Sequence, residues 1–496
     1  MKKILLLFAF SLSLLVSFAA SNPKREFRGA WIQCVNGQYL GKTPAQLRQM
    51  LSSQLDTLQQ CGINAILFQV RAEGDALYKS SYEPWSRFLT GTQGVAPSDG
   101  WDPLAWMVQE CHQRDMECHA WLNPYRAKTK FTKELASNHP AVLHPERIFE
   151  YDELYIFNPA IPENRTYTCM VVEDILQHYD VDGIHIDDYF YPYPVKGVPL
   201  PDASYYQADP RGFATIEDWR RDNVNLLIRD LHHLVRSVKP WCKFGVSPFG
   251  IYRNSPTGAN NKEGSATHGT QNYDDLYADI LYWVKQGWVD YTIPQVYWNL
   301  GTPAADYEVL LHWWNDYCNG RPLFIGQDVE RTVKGVDPHN AHSHQMLVKY
   351  DLQRSLSHIQ GSCQWYAAAV VNNPGNYRTV LQRVYHSTPA LQPLMPFIDS
   401  KAPGKPRHLT LLRGSSTGCT LKWEAPKAKK ELDHTRQYVV YQFGKGEKVN
   451  LESADHIVCI THANFITLPT PPRGTKIFVT ALDRLHNESK PVKVKM

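Results

Sequence analysis

The stretch Asp180-Val181-Asp182-Gly183-Ile184-His185-Ile186-Asp187-Asp188-Tyr189-Phe190-Tyr191-Pro192 decides the fold. It reads as a turn, a short buried strand, and a burst of acids and aromatics where the strand ends. Side chains alternate along a strand. Ile184 and Ile186 therefore share one face, and His185 and Asp187 the other. A polar face on a buried strand is odd for a purely structural element. It suits the mouth of an α/β barrel, where chemistry sits at the C-terminal ends of parallel strands. The structural alternative is that Asp187 and Asp188 cap the next segment or face water.

On either side of that strand, apolar runs alternate with amphipathic ones. Strands are expected at Phe27–Gln33, Ala65–Arg71, Glu117–Asn123, the quoted stretch, Phe244–Phe249, Tyr291–Trp298, Leu323–Gln327 and Cys363–Ala368. Helices are expected at Pro44–Cys61, Asp102–Asp115, Asn164–Tyr179, Glu217–Val238, Tyr273–Gln286, Pro303–Cys318, His339–His358 and Asn376–Tyr385. For the first helix, Thr43 is the expected N-cap and Pro44 the first helical residue. Eight strand-then-helix units imply a parallel sheet and a (β/α)₈ TIM barrel over residues 24–388. A doubly wound open sheet is the runner-up, but no GxGxxG follows the first strand. Long loops follow strands, on the side where such barrels build sites.

Beyond the barrel, prolines between Pro389 and Pro406 mark a linker. Short alternating segments over 407–496 predict a small all-β, immunoglobulin-like sandwich, with Trp423 and Tyr441 in its core. Its ending, Phe478 to Ser489, resembles the last hairpin of fibronectin type III domains.

Composition narrows the function. The chain of 496 residues carries Lys+Arg 52 against Asp+Glu 49. So even a balance gives no basic stripe of the kind nucleic-acid binders use. The 14 Trp and 27 Tyr suit sugar binding as well as they suit an aromatic core. Lys2-Lys3, the apolar run Ile4–Val16 and the small residues before Ala20 read as a secretory signal peptide over 1–20. The mature protein is thus expected to be exported, periplasmic or extracellular, with no membrane anchor. Its 10 Cys are scattered through apolar segments and form no CxxC, so buried free thiols are expected.

The expected strand ends gather one rim. It includes Gln69 and Arg71; Trp121, Asn123 and Tyr125; His185, Asp187, Asp188 and Tyr189; Ser247; Gln295, Tyr297 and Trp298; Gln327 and Asp328; Gln364, Trp365 and Tyr366. No Ser-His-Asp order, phosphate-cradling loop or HExxH accompanies them. Carboxylates beside stacking rings fit glycoside hydrolysis, which needs one protonated acid and one ionised carboxylate. Asp187 is the expected ionised partner, with His185 and Arg71 as hydrogen-bonding groups that keep it so. The acid stays open among Asp188, Asp75, Glu73 and Asp328. Trp85, Trp121, Tyr297 and Trp298 are candidate sugar platforms. No cofactor is implied. A glycan-binding protein without activity, or a metal-dependent polysaccharide deacetylase using His119, His185 and Asp187, would share these features.

Several motifs resemble one family: Arg28-Gly29-Ala30-Trp31, Gln69-Val70-Arg71 with Gly74-Asp75-Ala76-Leu77-Tyr78, Ala120 to Tyr125, Asp182 to Pro192, Gly245 to Gly250, and Pro294 to Trp298. Their order is similar to that of the glycosyl-hydrolase-like 10 domain, over about Lys24 to Tyr385. The resemblance implies a (β/α)₈ barrel related to glycoside hydrolases. It further implies an enzyme for a polysaccharide, of the kind that cleaves peptidoglycan glycan strands stripped of their stem peptides.

Overall fold

The computed structural model describes residues 22–413 and 418–495. The expected signal peptide lies outside them. Eight strands close a parallel barrel: β1 (Phe27–Ile32), β2 (Ala65–Arg71), β3 (Glu117–Leu122), β4 (Gly183–Ile186), β5 (Lys243–Val246), β6 (Tyr291–Thr292), β7 (Leu323–Asp328) and β8 (Ile359–Trp365). Each pairs with its neighbour in sequence, and β8 closes on β1 through Phe27–Gly361 to Ala30–Gln364. This is the expected TIM barrel.

The outer face of the barrel is apolar because the helices cover it. Helix α1 (Pro44–Gln60) buries Leu47, Leu51, Leu55 and Leu58, one stripe at helical spacing. It begins with a capping box in which Thr43 and Gln46 satisfy each other's orphan donors. Ile184 and Ile186 of β4 join this outer core. Trp121 pairs with His185 and Leu122 with Ile186, so the register sends His185 and Asp187 inward.

Inside the barrel, aromatic rings fill the lower layers. Phe27 stacks on Phe324 at 4.1 Å and on Tyr291 at 6.1 Å. Gly183 and Gly245 make room for this layer. A Cβ at Gly183 would collide with the His119 ring, and one at Gly245 with the Tyr291 ring.

Several expected elements are shorter or different. Strand β6 stops at Thr292, not Trp298, because Pro294 has no N–H to continue the ladder. The expected helix His339–His358 opens as a hairpin, Val336–Asp337 against Asn340–His344, and only Met346–Ser355 is helical. Asp337 there turns its carboxylate onto the His339 N–H at 2.8 Å, which favours a turn over a helix. The expected helix Tyr273–Gln286 is split into Asn272–Asp275 and Ile280–Gln286 around Tyr277, whose φ is +53°. The connection after β3 also holds structure of its own. Arg126–Lys128, Leu154–Phe157 and Ile148–Tyr151 form a three-stranded antiparallel sheet beside the barrel mouth.

After the barrel, two antiparallel sheets form the C-terminal sandwich. One joins β9 (Arg407–Arg413), β10 (Gly418–Glu424) and β13 (Phe465–Pro469). The other joins β12 (Ile457–Thr461), β11 (Gln437–Phe443), β14 (Lys476–Leu482) and β15 (Val492–Lys493). Leu421 and Trp423 from the first sheet share a core with Tyr438, Val440, Ile477 and Val479 from the second. Tyr441 packs in a second cluster with Leu391 of the connecting segment. The sandwich sits against the N-terminal ends of the barrel strands. Arg484 pairs with Asp180 at 2.9 Å, Lys24 with Glu488 at 2.7 Å, and His462 with Asp115 at 3.0 Å. All ten cysteines are free thiols, as expected, and eight of them are buried. Among the described residues no helix is long and apolar enough to cross a membrane.

Candidate active site

The loops after the first three strands and the end of β4 enclose a cleft of about 520 Å³ at the C-terminal mouth. Val35, Asn36, Gly37 and Leu40 come from the loop after β1, and Arg87 and Phe88 from the loop after β2. Arg126, Thr129 and Phe131 come from the loop after β3. Gln69, Trp121, Asp187, Tyr189 and Trp365 complete the lining.

Asp187 is the carboxylate that opens into this cleft. Its Oδ2 accepts the Trp121 indole N–H at 2.9 Å, and its Oδ1 faces the Asn123 amide at 3.4 Å. Burial, and then the neighbouring charge of Asp188, push its pKa up to about 7. Arg126 and the Trp121 N–H pull the other way and do not prevail. This differs from the expectation that Asp187 is the ionised partner of the pair. Below neutral pH this carboxyl is mostly protonated, and it ionises as pH rises through about 7.

Asp188 lies behind it. The Tyr193 hydroxyl donates to its Oδ2, and the Gln295 amide packs against it. Burial raises its pKa too, opposed by those two donors. The two acids are thus inequivalent in exposure to the cleft and in hydrogen bonding, which is the condition for separate roles.

Rings wall the cleft floor. Trp365 lies 6.1 Å from Trp121, 6.2 Å from Trp31 and 6.2 Å from Tyr297, on which it stacks at 22°. Tyr189 stands at the rim against Tyr193, 5.6 Å away.

The remaining expected site residues lie elsewhere. Arg71 does not reach Asp187. It forks onto Glu83, with Nη2 to Oε1 at 2.7 Å, and its Nη1 donates to the Asn123 carbonyl. Both side chains are fully buried, so the pair is structural. His185 also misses Asp187. Its Nδ1 meets the Tyr291 hydroxyl at 3.1 Å and its Nε2 the Ser247 hydroxyl at 2.8 Å. Burial, with His119 nearby, holds its pKa well below the usual imidazole range, so it is neutral. Asp75 is enclosed away from the cleft lining, bonded to the Gln93 amide and the Glu73 N–H. Burial and the Glu73 charge raise its pKa to about 6. Glu73 is held by Arg87, Thr129 and Thr132, whose hydrogen bonds outweigh burial and lower its pKa.

Asp328 caps the helix Val329–Lys334 by accepting the Arg331 N–H at 2.8 Å. Tyr125 turns outward into the core beneath the helices, because the chain leaves the barrel at Pro124. Trp298 packs edge-on to Phe249 at 5.4 Å, outside the cleft lining, and Trp85 is likewise absent from it. His119 bonds Glu117 and Tyr291. Among the described residues no group of three or more His, Cys, Asp or Glu side chains converges to hold a metal ion.

Sequence reading passed over Arg87, Arg126, Phe131 and the Val35–Gly37 turn. They sit on loops, where periodicity carries no information. The one available signal was loop length after the first three strands.

A closed parallel barrel with a ring-lined cleft and the Asp187 carboxylate at its C-terminal mouth has the layout of a glycan-acting hydrolase of the barrel class. More particularly, residues 26–340 match the family described as Glycosyl hydrolase-like 10, and the chain belongs to that family. It is 37% identical over 485 residues to "Glycosyl hydrolase YngK" of Bacillus subtilis, covering 95% of this chain and 93% of that one. It is 40% identical over 279 residues to "Glycosyl hydrolase DigH" of Escherichia coli, covering 54% of this chain and 62% of the relative. Among solved structures, the glycoside hydrolase domain of PgaB (BpsB) from Bordetella bronchiseptica is similar at 13% identity with a TM-score of 0.45. That match covers 74% of this chain and all of the other.

Proposed function

We propose that the protein is an exported glycoside hydrolase that cleaves peptide-free peptidoglycan glycan strands. Asp187 is the general acid and donates its proton to the leaving glycosidic oxygen. The observation that carries this is its position: it opens into the cleft with a pKa near 7 while Asp188 lies behind it. An acid with that proton affinity is matched to work near neutral pH.

Asp187 is also the one carboxylate among the described residues in the cleft lining. Two-carboxylate hydrolysis needs a second acid across the bond, whereas N-acetylated sugars can supply their own nucleophile. In this reading the acetamido oxygen bonds to the anomeric carbon as the leaving sugar departs with the Asp187 proton. Water then opens that ring, giving its proton back to Asp187. Asp188, steadied behind it by Tyr193 and Gln295, helps to keep the proton on Asp187 through its charge. The C-terminal sandwich, which we assign to the fibronectin type III-like class, serves as a spacer or interaction module at the far end.

The test is product analysis by mass spectrometry and NMR on peptidoglycan with and without prior amidase digestion. Short saccharides with retained anomeric configuration, released from the digested strands, are expected. Release only from undigested material would overturn the substrate, and inverted products would overturn acetamido participation.

A further inference from the structure

Two guanidinium groups line the cleft, and they differ in one respect. Arg87 is neutralised in place: its Nε meets Glu73 at 2.9 Å and its Nη2 meets the same carboxylate at 3.2 Å. Arg126 has no such partner. Its Nε donates to the Ala72 carbonyl at 2.9 Å, and its guanidinium lies 4.7 Å from the centre of the Tyr189 ring. Among the described residues no carboxylate pairs with it, although it is half-buried and beside Asp187 in the lining. Every other fully or nearly enclosed arginine at this end, Arg71 included, has its acid.

Carbonyl and ring fix the direction of the Arg126 fork without cancelling its charge. Such a group is preorganised for a planar anion. Lys128 and Lys130 follow on the same loop and add the same sign.

The geometry points to Arg126 as a specificity residue that binds a carboxylate carried by the sugar next to Asp187, so that acidic glycans are preferred over neutral ones. This deepens the proposed function and rests on its reading that the ligand is a glycan. In a muramic-acid sugar the lactyl carboxylate is free only where no peptide is amide-linked to it. Arg126 therefore gives a physical reason for a preference for peptide-free strands. The positive charge of Arg126 also works against the proton on Asp187. A bound carboxylate would offset it and leave the acid better charged with its proton.

The experiment compares peptide-free N-acetylglucosamine–N-acetylmuramic acid oligosaccharides with the same oligosaccharides after reduction of their carboxyl groups to alcohols. Wild type should lose roughly 10- to 100-fold in kcat/KM on the reduced substrate, the worth of one charge-assisted contact. Arg126→Gln should lose as much on the acidic substrate and no longer discriminate, while Arg126→Lys should retain part of the preference. Thermal melting should show the variants folded. Equal wild-type rates on both substrates, or continued discrimination by Arg126→Gln, would overturn the assignment while leaving hydrolysis intact. Absence of any cleavage would instead count against the hydrolase reading. Calorimetric binding of both oligosaccharides to Asp187→Asn, with and without Arg126→Gln, then decides the role of Arg126 alone. A preference that vanishes with Arg126 supports it; equal binding, or none, overturns it.

Discussion

Two polar clusters occupy one barrel interior, and they are built on opposite terms. The lower one is a closed chain. Lys243 meets Glu117, Glu117 meets His119 at 3.0 Å, His119 meets Tyr291 at 2.7 Å, Tyr291 meets His185, and His185 meets Ser247. Both His119 nitrogens and both Glu117 oxygens find partners inside the protein, and Lys243 is paired with Glu117. Despite burial, Lys243 and His119 keep the Glu117 carboxyl well below its usual range. The upper cluster also sets an acid near a base, Asp187 and Arg126, but does not close them into an ion pair. Burial raises the proton affinity of Asp187, and among the described residues no carboxylate forms an ion pair with Arg126. The difference separates structure from chemistry: a satisfied buried polar group rigidifies, whereas an unsatisfied one facing a cleft is available to a ligand.

The two clusters should respond to substitution in opposite ways. Asp187→Asn should lower kcat/KM on the order of 10²- to 10⁴-fold, the contribution of a general acid, without loss of folding. Glu117→Ala should do the reverse. It leaves Lys243 unpaired in the interior and His119 with only Tyr291, costing about 3–5 kcal/mol in denaturant unfolding, with kcat of the folded fraction little changed. Full activity in the first variant or unaltered stability in the second would erase the distinction.

Titration sharpens it. Asp187 binds its proton more tightly folded than unfolded, so its contribution to stability is complete below about pH 4. That contribution is lost as pH rises through about 7. Asp187→Asn cannot ionise, so it should melt higher than wild type at pH 8, by up to roughly 4 kcal/mol, and lose that advantage by pH 4. The alkaline limb of wild-type kcat/KM should fall through the same region. Trp121→Phe removes an N–H that favours the ionised form, so it should move that limb upward at a modest cost in rate. Least affected is the periphery: Asp328→Ala should cost about 1 kcal/mol as a lost helix cap and leave the pH profile alone.

Much of the barrel was legible in the sequence because burial on two sides imposes period. Leu47, Leu51, Leu55 and Leu58 announce a helix face, and Ile184 with Ile186 a strand face. The same alternation placed His185 and Asp187 inward. It could not say which of the two would find internal partners. That depends on Ser247 and Tyr291, 62 and 106 residues away from His185. Arg71 was misjudged for the same reason. Its acid, Glu83, sits in the following loop, and nothing in spacing alone distinguishes a guanidinium aimed at a loop from one aimed at the rim. Arg126 was hidden by its loop. The raised pKa of Asp187 owes most to burial, a property of the folded cleft, and only then to the charge of Asp188, its neighbour in the chain.

The most direct test of the central claim, that Asp187 drives hydrolysis of glycan, is isotopic. Peptide-free glycan strands are incubated with wild type and with Asp187→Asn in ¹⁸O-labelled water, and the products are weighed. One ¹⁸O atom at each new reducing end with wild type, and none above background with the variant, is the expected result. Equal incorporation by both proteins, or none by wild type, would contradict the account.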